Sequence, residues 1–220
     1  MVLAAHFAAA ALAATCPANA ANDLRPAPPG TQLITVQAAD TRTTHATLAT
    51  WRRSGRCWVA AQEPYPARVG RNGVSANRRE GDGTTPIGTF SIGRVMYGNA
   101  PNPGVRFRYR RIVCGDWWNE DPSSPTYNTF QHVPCGRAPP FRVTTPGMWQ
   151  ERRAYPYLAV IDFNMRPVVP GRGSGIFLHA QTGGPTNGCV SLRRGDLVRA
   201  LRWLRPEAAP HISIGTRALR

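Results

Sequence analysis

Apolar and polar residues alternate along this chain in short bursts, each bounded by glycine, proline or asparagine. Thr31–Ala38 (TQLITVQA) predicts a first strand. His45–Trp51 and Cys57–Ala61 flank RRSGR and predict a hairpin with Gly55 in its turn. Tyr65–Val74 continues in the same style and ends on an Asn72-Gly73 turn signal. Glu80–Ile92 (EGDGTTPIGTFSI) holds three glycines and a proline; it reads as a turn that shapes a pocket wall, and TFSI leaves it as a strand. Tyr157–Phe163 (YLAVIDF) is a strong strand pattern, Ser174–His179 climbs into the next, and His211–Ile214 offers a closing one. One segment has helical spacing. In Gly195–Leu204, residues Leu197, Val198, Leu201 and Leu204 fall at i, i+1, i+4 and i+7, and Pro206 stops the run. Many short strands and one good helix describe a mainly β chain.

Composition sharpens this picture at three points. With 220 residues the chain is long enough for one domain with a sizeable core. Glycine and proline, 21 each, favour many punctuated elements over a helical bundle. The formal charge is +15 and every basic side chain is arginine, which excludes lysine as Schiff-base former or general base. That surplus predicts attraction to polyanions such as wall polymers, anionic lipid or nucleic acid. The arginines are scattered, as on a solvated basic surface, and do not predict a specific nucleic-acid groove.

Residues 1–21 (MVLAAHFAAAALAATCPANAA) have the small, apolar character of a secretory signal peptide, with Ala18-Asn19-Ala20 as an Ala-x-Ala site. The apolar run is too short to span a membrane, so the mature chain is expected to carry no transmembrane segment and to be secreted or held in the cell envelope. No arginine precedes the run. Cys16 also admits a lipoprotein reading, although Thr15 is a poor residue before a lipidated cysteine. Residues 22–30 (NDLRPAPPG) are a Pro-rich leader to the domain.

In an oxidising compartment Cys114 and Cys135 are expected to pair across a loop containing Asp116, Trp117 and Trp118. Such a bridge stabilises by roughly 3 kcal/mol in the chain-entropy model. The alternatives are two separate buried thiols or, with less support, a zinc pair His132-x-x-Cys135. Cys57 has no obvious partner.

The stretch Ile176–Leu192 (IFLHAQTGGPTNGCVSL) carries the candidate chemistry. His179 ends a short apolar run, and Cys189 follows Gly188 ten residues on, after a loop with two adjacent glycines and a proline. A thiol needs a base or a positive field to become a nucleophile, and His179 supplies a base if strand end and loop tip meet. Gly188 leaves the backbone beside the sulfur open, where amides can donate to a developing oxyanion. Residue types alone leave open a buried structural cysteine and a structural histidine. A papain-like peptidase is disfavoured because there the cysteine precedes the histidine.

TNGCVSL with the upstream FLHA resembles the active-site signature of the L,D-transpeptidase catalytic domain, also called the YkuD domain. GDGTTPIGTF resembles the Thr-Pro-x-Gly-x-Phe segment of the same family. The likeness is closest to an exported actinobacterial-type branch, with its Cys-bounded Trp-Trp/Pro loop and VVPGRGSGIFLH, and it covers residues 31–216 as a single domain. It implies a β-sandwich with one or two short helices and the active site at one end. It implies that Cys189 attacks a peptide carbonyl and forms a thioester, that His179 takes the thiol proton, and that the Ala180 carbonyl orients the imidazole. The Gly188 and Cys189 amides would form the oxyanion hole. Asn187, Ser191, Arg172 and Ser174 fall at positions implied to bind substrate. The implied donor is the tetrapeptide stem of peptidoglycan, cut after the L-centre of diaminopimelate with release of D-alanine and transfer to an amine of another stem. No metal or cofactor is implied.

Two positions depart from the family pattern. Asn187 stands where a histidine is usual, which leaves His179 as sole base, and Ser191 stands where an arginine is usual, with Arg193 and Arg194 as the nearest replacements for its charge. The departures bear on substrate preference. They keep two other readings open: an L,D-carboxypeptidase with water as acceptor, and a catalytically inactive basic module that binds cell wall.

Overall fold

A computed structural model describes residues 15–217. The punctuated apolar stretches form β1 (Gln32–Ala38), β2 (His45–Ser54), β3 (Cys57–Ala60), β4 (Tyr65–Arg68), β5 (Val74–Ser75), β6 (Thr85–Pro86) and β7 (Gly88–Gly98). They continue as β8 (Arg108–Arg111), β9 (Asp116–Asn119), β10 (Thr129–His132), β11 (Leu158–Ile161), β12 (Phe177–Ala180) and β13 (Val190–Leu192). A helix, α1 (Arg194–Trp203), and a 3-10 turn at Pro206–Ala208 precede β14 (His211–Thr216). The chain is mainly β, as its patterning predicts.

The main sheet runs β1-β14-β7-β11-β12-β13-β4-β2, and β2 pairs back onto β1. The sandwich-like assembly is therefore closed on itself, which leaves no open edge in the ring itself. Two strands extend the ring outward: β3 pairs with β2, and β8 with β7. Ile34, Val36, Leu48, Met96, Leu178, Val190, Leu192, Ile212 and Ile214 meet in the main core. From α1, Leu197 and Leu201 enter that core together with Leu204 beyond the helix end. Val198 stays on the flank and Ala200 takes the buried place beside them.

β12 is the centre of the functional end. It pairs antiparallel with β11 and parallel with β13, in the register Leu178↔Val190, His179↔Ser191, Ala180↔Leu192. Side chains alternate across a strand, so one face of β12–β13 sends Leu178, Ala180, Val190 and Leu192 into the core. The opposite face carries Phe177, His179, Cys189 and Ser191.

The stretch between Cys114 and Cys135, expected as a long loop, contains the hairpin β9–β10. Its determinant is a buried side chain: Asp116, fully buried, accepts from the Val113 amide (2.9 Å) and faces His132 (2.7 Å) and Arg110 (3.2 Å). Cys114 and Cys135 are bridged, so Cys135 is unavailable to the zinc pair considered with His132.

A second disulfide joins Cys16 to Cys57. It supplies the partner that Cys57 lacked in the sequence reading, and it is incompatible with a lipid on the Cys16 sulfur. Most of the expected signal peptide, residues 1–14, lies outside the described residues; a leader ending at residue 21 would carry Cys16 away with it. Among the described residues no helix is long and apolar enough to cross a membrane.

Candidate active site

The polar face of β12–β13 forms the floor of a cavity of about 430 Å³ lined by Phe177, His179, Cys189 and Ser191, among others. The parallel register puts Cys189 beside the start of β12: the Phe177 amide donates to Cys189 Sγ at 3.3 Å, and the thiol donates to the Gly175 carbonyl at 3.3 Å. His179 stands two residues further along the same face. Strand end and loop tip therefore line one cavity.

His179 Nδ1 lies 2.8 Å from the Ala180 carbonyl. A carbonyl only accepts, so Nδ1 carries the proton. Burial lowers the imidazole to about 4, against the Ala180 and Ala154 carbonyls that favour its charged form. The ring is thus neutral at physiological pH, with its lone pair on Nε2. Tyr155 meets the ring edge-on at 5.4 Å and fixes its plane. Burial also pushes the Cys189 thiol up to about 12, although the Phe177 amide and the Arg78 charge act in the opposite direction.

The resting pair is a neutral thiol and a neutral imidazole, so an attack by the sulfur would have to pass its proton to the ring. In His179→Ala, which lacks an acceptor for that proton, the alkylation rate of Cys189 by iodoacetamide is therefore expected to follow the thiolate fraction and rise about tenfold per pH unit from pH 6 to pH 10, whereas the wild-type rate stays nearly flat. Rates measured in the two proteins, with Cys189→Ala as the blank, check this, and the same steep rise in the wild type would contradict it.

The loop that delivers Cys189 is clipped from both sides. The Arg71 amide donates to the Thr186 carbonyl (2.7 Å), and the Thr186 amide donates to the Val69 carbonyl (2.9 Å). Thr186 Oγ1 donates to the Cys189 carbonyl (2.6 Å) and accepts from the Gly188 amide (3.1 Å). The Gly188 amide must leave Thr186 before it can serve an oxyanion. Asn187 Oδ1 accepts from Arg71, at the cavity rim.

Beneath this loop lies Arg78, a residue with no signature in the sequence. It is buried, with 6% of its surface exposed. Its Nη1 donates to the Thr84 carbonyl, reaches the Asn187 carbonyl at 3.5 Å and pairs with Asp82 at 3.4 Å. The guanidinium occupies the space where a Cβ on Gly188 or Gly173 would stand, and both glycines have positive φ, +135° and +113°. The glycine before Cys189 is thus needed for two reasons, its backbone conformation and the arginine packed against it.

The cavity wall is acidic. Glu80 accepts from Ser174 Oγ (2.6 Å) and from Tyr127, and Glu120 packs over Gly175. Burial raises the Glu120 carboxyl to about 7, and the neighbouring Glu80 carboxylate adds to the rise. The folded state therefore holds a proton that the unfolded chain releases near pH 4.3. The resulting loss of stability begins above that pH and is complete once the pH exceeds about 7. Glu120→Gln is expected to raise Tm at pH 8 by roughly 5 °C and to leave Tm at pH 4 nearly unchanged. Thermal denaturation at the two pH values checks this.

Of the other expected site residues, Ser174, Asn187 and Ser191 line the cavity. Ser191 Oγ is buried and has no hydrogen-bond partner among the described residues. Arg172 does not line the cavity; its guanidinium sits 6.0 Å from the Phe163 ring. Arg193 and Arg194 are also outside it, and Arg194 lies over Tyr157. Arg78, Glu80, Glu120, Trp118 and Tyr155 are among the lining residues that no motif singled out as functional.

The family model YkuD, the L,D-transpeptidase catalytic domain, matches residues 33–216. No curated protein matches the chain.

Proposed function

The chain belongs to the L,D-transpeptidase catalytic-domain family, whose activity is directed at peptidoglycan, and on that premise we propose that it is an exported cysteine acyltransferase that cross-links stem peptides through a thioester on Cys189. The observation that carries the proposal is the shared face of His179 and Cys189, with His179 Nδ1 committed to the Ala180 carbonyl. An imidazole held in that tautomer has one task left for Nε2.

The reaction follows from this arrangement. As Cys189 Sγ attacks the carbonyl of the diaminopimelate L-centre, its proton passes to His179 Nε2. The tetrahedral oxyanion is held by backbone amides of the Gly188–Cys189 segment, with the Arg78 charge beneath them. Collapse returns the proton from the imidazolium to the departing amine of D-alanine and leaves the thioester. An amine from a second stem then attacks, His179 accepting its proton, and the thiol is regenerated. The Ser191 hydroxyl and the Glu80–Glu120 wall supply polar contacts for a peptide that carries both amines and carboxylates. Two disulfides among the described residues suit an oxidising, extracytoplasmic location. The +15 charge suits retention on anionic wall polymers, expected to weaken as salt is raised.

Product analysis tests the activity. Purified protein is incubated with a stem tetrapeptide, with and without a second amine-bearing stem. Release of D-alanine with a cross-linked dimer in the presence of acceptor supports transpeptidation. Tripeptide alone in both arms identifies the L,D-carboxypeptidase reading. Release by Cys189→Ala at the wild-type rate would overturn both.

A further inference from the structure

The strand β3 is an outer strand: it pairs with β2, and its other edge would present unpaired backbone groups. Residues 16–24 lie along that edge. The Trp58 amide donates to Asn22 Oδ1 at 2.7 Å, and the Trp58 carbonyl accepts from the side-chain amides of Asn22 (3.1 Å) and Asn19 (3.2 Å). Asn19 Oδ1 in turn accepts from the amides of Ala21 and Asn22. Ala21, 1% exposed, packs with Leu33 and Trp58 in a cluster on the outer face of the barrel, and Leu24 and Trp51 close its rim. The Cys16–Cys57 bridge anchors this strap to the strand it covers.

We propose that the leader is removed before Cys16, not after Ala20, and that residues 16–24 stay in the mature enzyme as a disulfide-anchored strap over the β3 edge. The proposal rests on the export reading above. Cleavage after Ala20 would free the Cys57 thiol, remove the Asn19 amide from Trp58, and create an ammonium at Ala21, where the backbone is buried. The sequence offers another site. Ala11-Leu12-Ala13 places small residues at the two positions a signal peptidase reads. Hydrolysis there adds water across the Ala13–Ala14 amide, giving a carboxylate on the leader and a new amino terminus two residues before Cys16.

The full chain, expressed with its own amino terminus in a bacterial host, is recovered from the extracytoplasmic fraction. It is examined by non-reduced intact mass, amino-terminal sequencing and maleimide labelling in denaturant. The expected protein begins upstream of Cys16 and takes one maleimide, on Cys189. A terminus at Pro17 or later, with two maleimides on Cys57 and Cys189, overturns the proposal. An uncleaved chain retained in the cytoplasm overturns the export reading, and with it this one. Cys16→Ser tests the strap separately: its Tm is expected to fall by roughly 10 °C. An unchanged Tm would show that the strap does not stabilise the enzyme.

Discussion

Arg78→Leu is expected to lower Tm by roughly 10 °C and to slow acylation of Cys189 by at least about a hundredfold. Both losses have one origin. The guanidinium is held between the Thr84 and Asn187 carbonyls and Asp82, and it fills the space beside Gly188 and Gly173. Leucine restores some of the volume and none of the donors. Two carbonyls then lose their partner, and Asp82 loses the charge beside it. Breaking a largely buried charged contact of this kind costs about 3 kcal/mol. The same group supports the backbone around Cys189 and supplies the positive field that favours the thiolate, which accounts for the slower acylation. Acylation is therefore measured at a temperature where circular dichroism shows the variant folded. Arg78→Lys keeps the charge without the planar fork and is expected to fall between the two. A folded Arg78→Leu protein acylating at the wild-type rate would remove Arg78 from the site.

His179→Ala is expected to reduce kcat about a thousandfold with the fold retained, because general-base removal costs between two and four powers of ten. Added imidazole should recover part of the rate, since the ring lines the cavity and its removal leaves space there; a purely structural histidine would show no such rescue. The substitution also carries a pH signature. The folded pKa of about 4 lies below the unfolded value near 6.5, so the wild type loses stability as pH falls from about 6.5 to about 4. That part of the acid sensitivity should be absent from His179→Ala, measured as Tm across the same window.

How much of this site was legible in the sequence depends on how local each signal is. His179, Gly188 and Cys189 lie within one short stretch, and period-two alternation assigns His179 and Phe177 to one face of β12 as soon as the strand is identified. Most strands of the ring were legible for the same reason, but β13, three residues long after Cys189, was too short to show an alternation, and the helix expected over 195–204 forms at 194–203. Arg78 was not. It is one of many scattered arginines, beside the exposed Arg79, and only the three-dimensional approach of the Gly188 loop separates the two. Glu120 was hidden differently. It follows β9, a hairpin strand whose formation depends on burying Asp116, and no local pattern announces that. Glu80 lies in the segment expected to shape a pocket wall, and it does line the cavity; its link to Tyr127 and Ser174 is long-range. The partner of Cys57 escaped notice because Cys16 fell inside a stretch whose composition reads as leader. Arg172 shows the reverse case: a position implied by resemblance whose side chain turns to Phe163, away from the cavity.

Cys189 is proposed to accept an acyl group with His179 as its base. Intact-mass spectrometry of the mature protein after incubation with a carbapenem, an acylating analogue of the peptide donor, tests it most directly, with Cys189→Ala and His179→Ala in parallel. One covalent adduct is expected on the wild type, none on Cys189→Ala, and a slow adduct on His179→Ala that imidazole accelerates. An adduct of equal extent on Cys189→Ala, or a folded wild type that takes up neither carbapenem nor stem tetrapeptide, would contradict it.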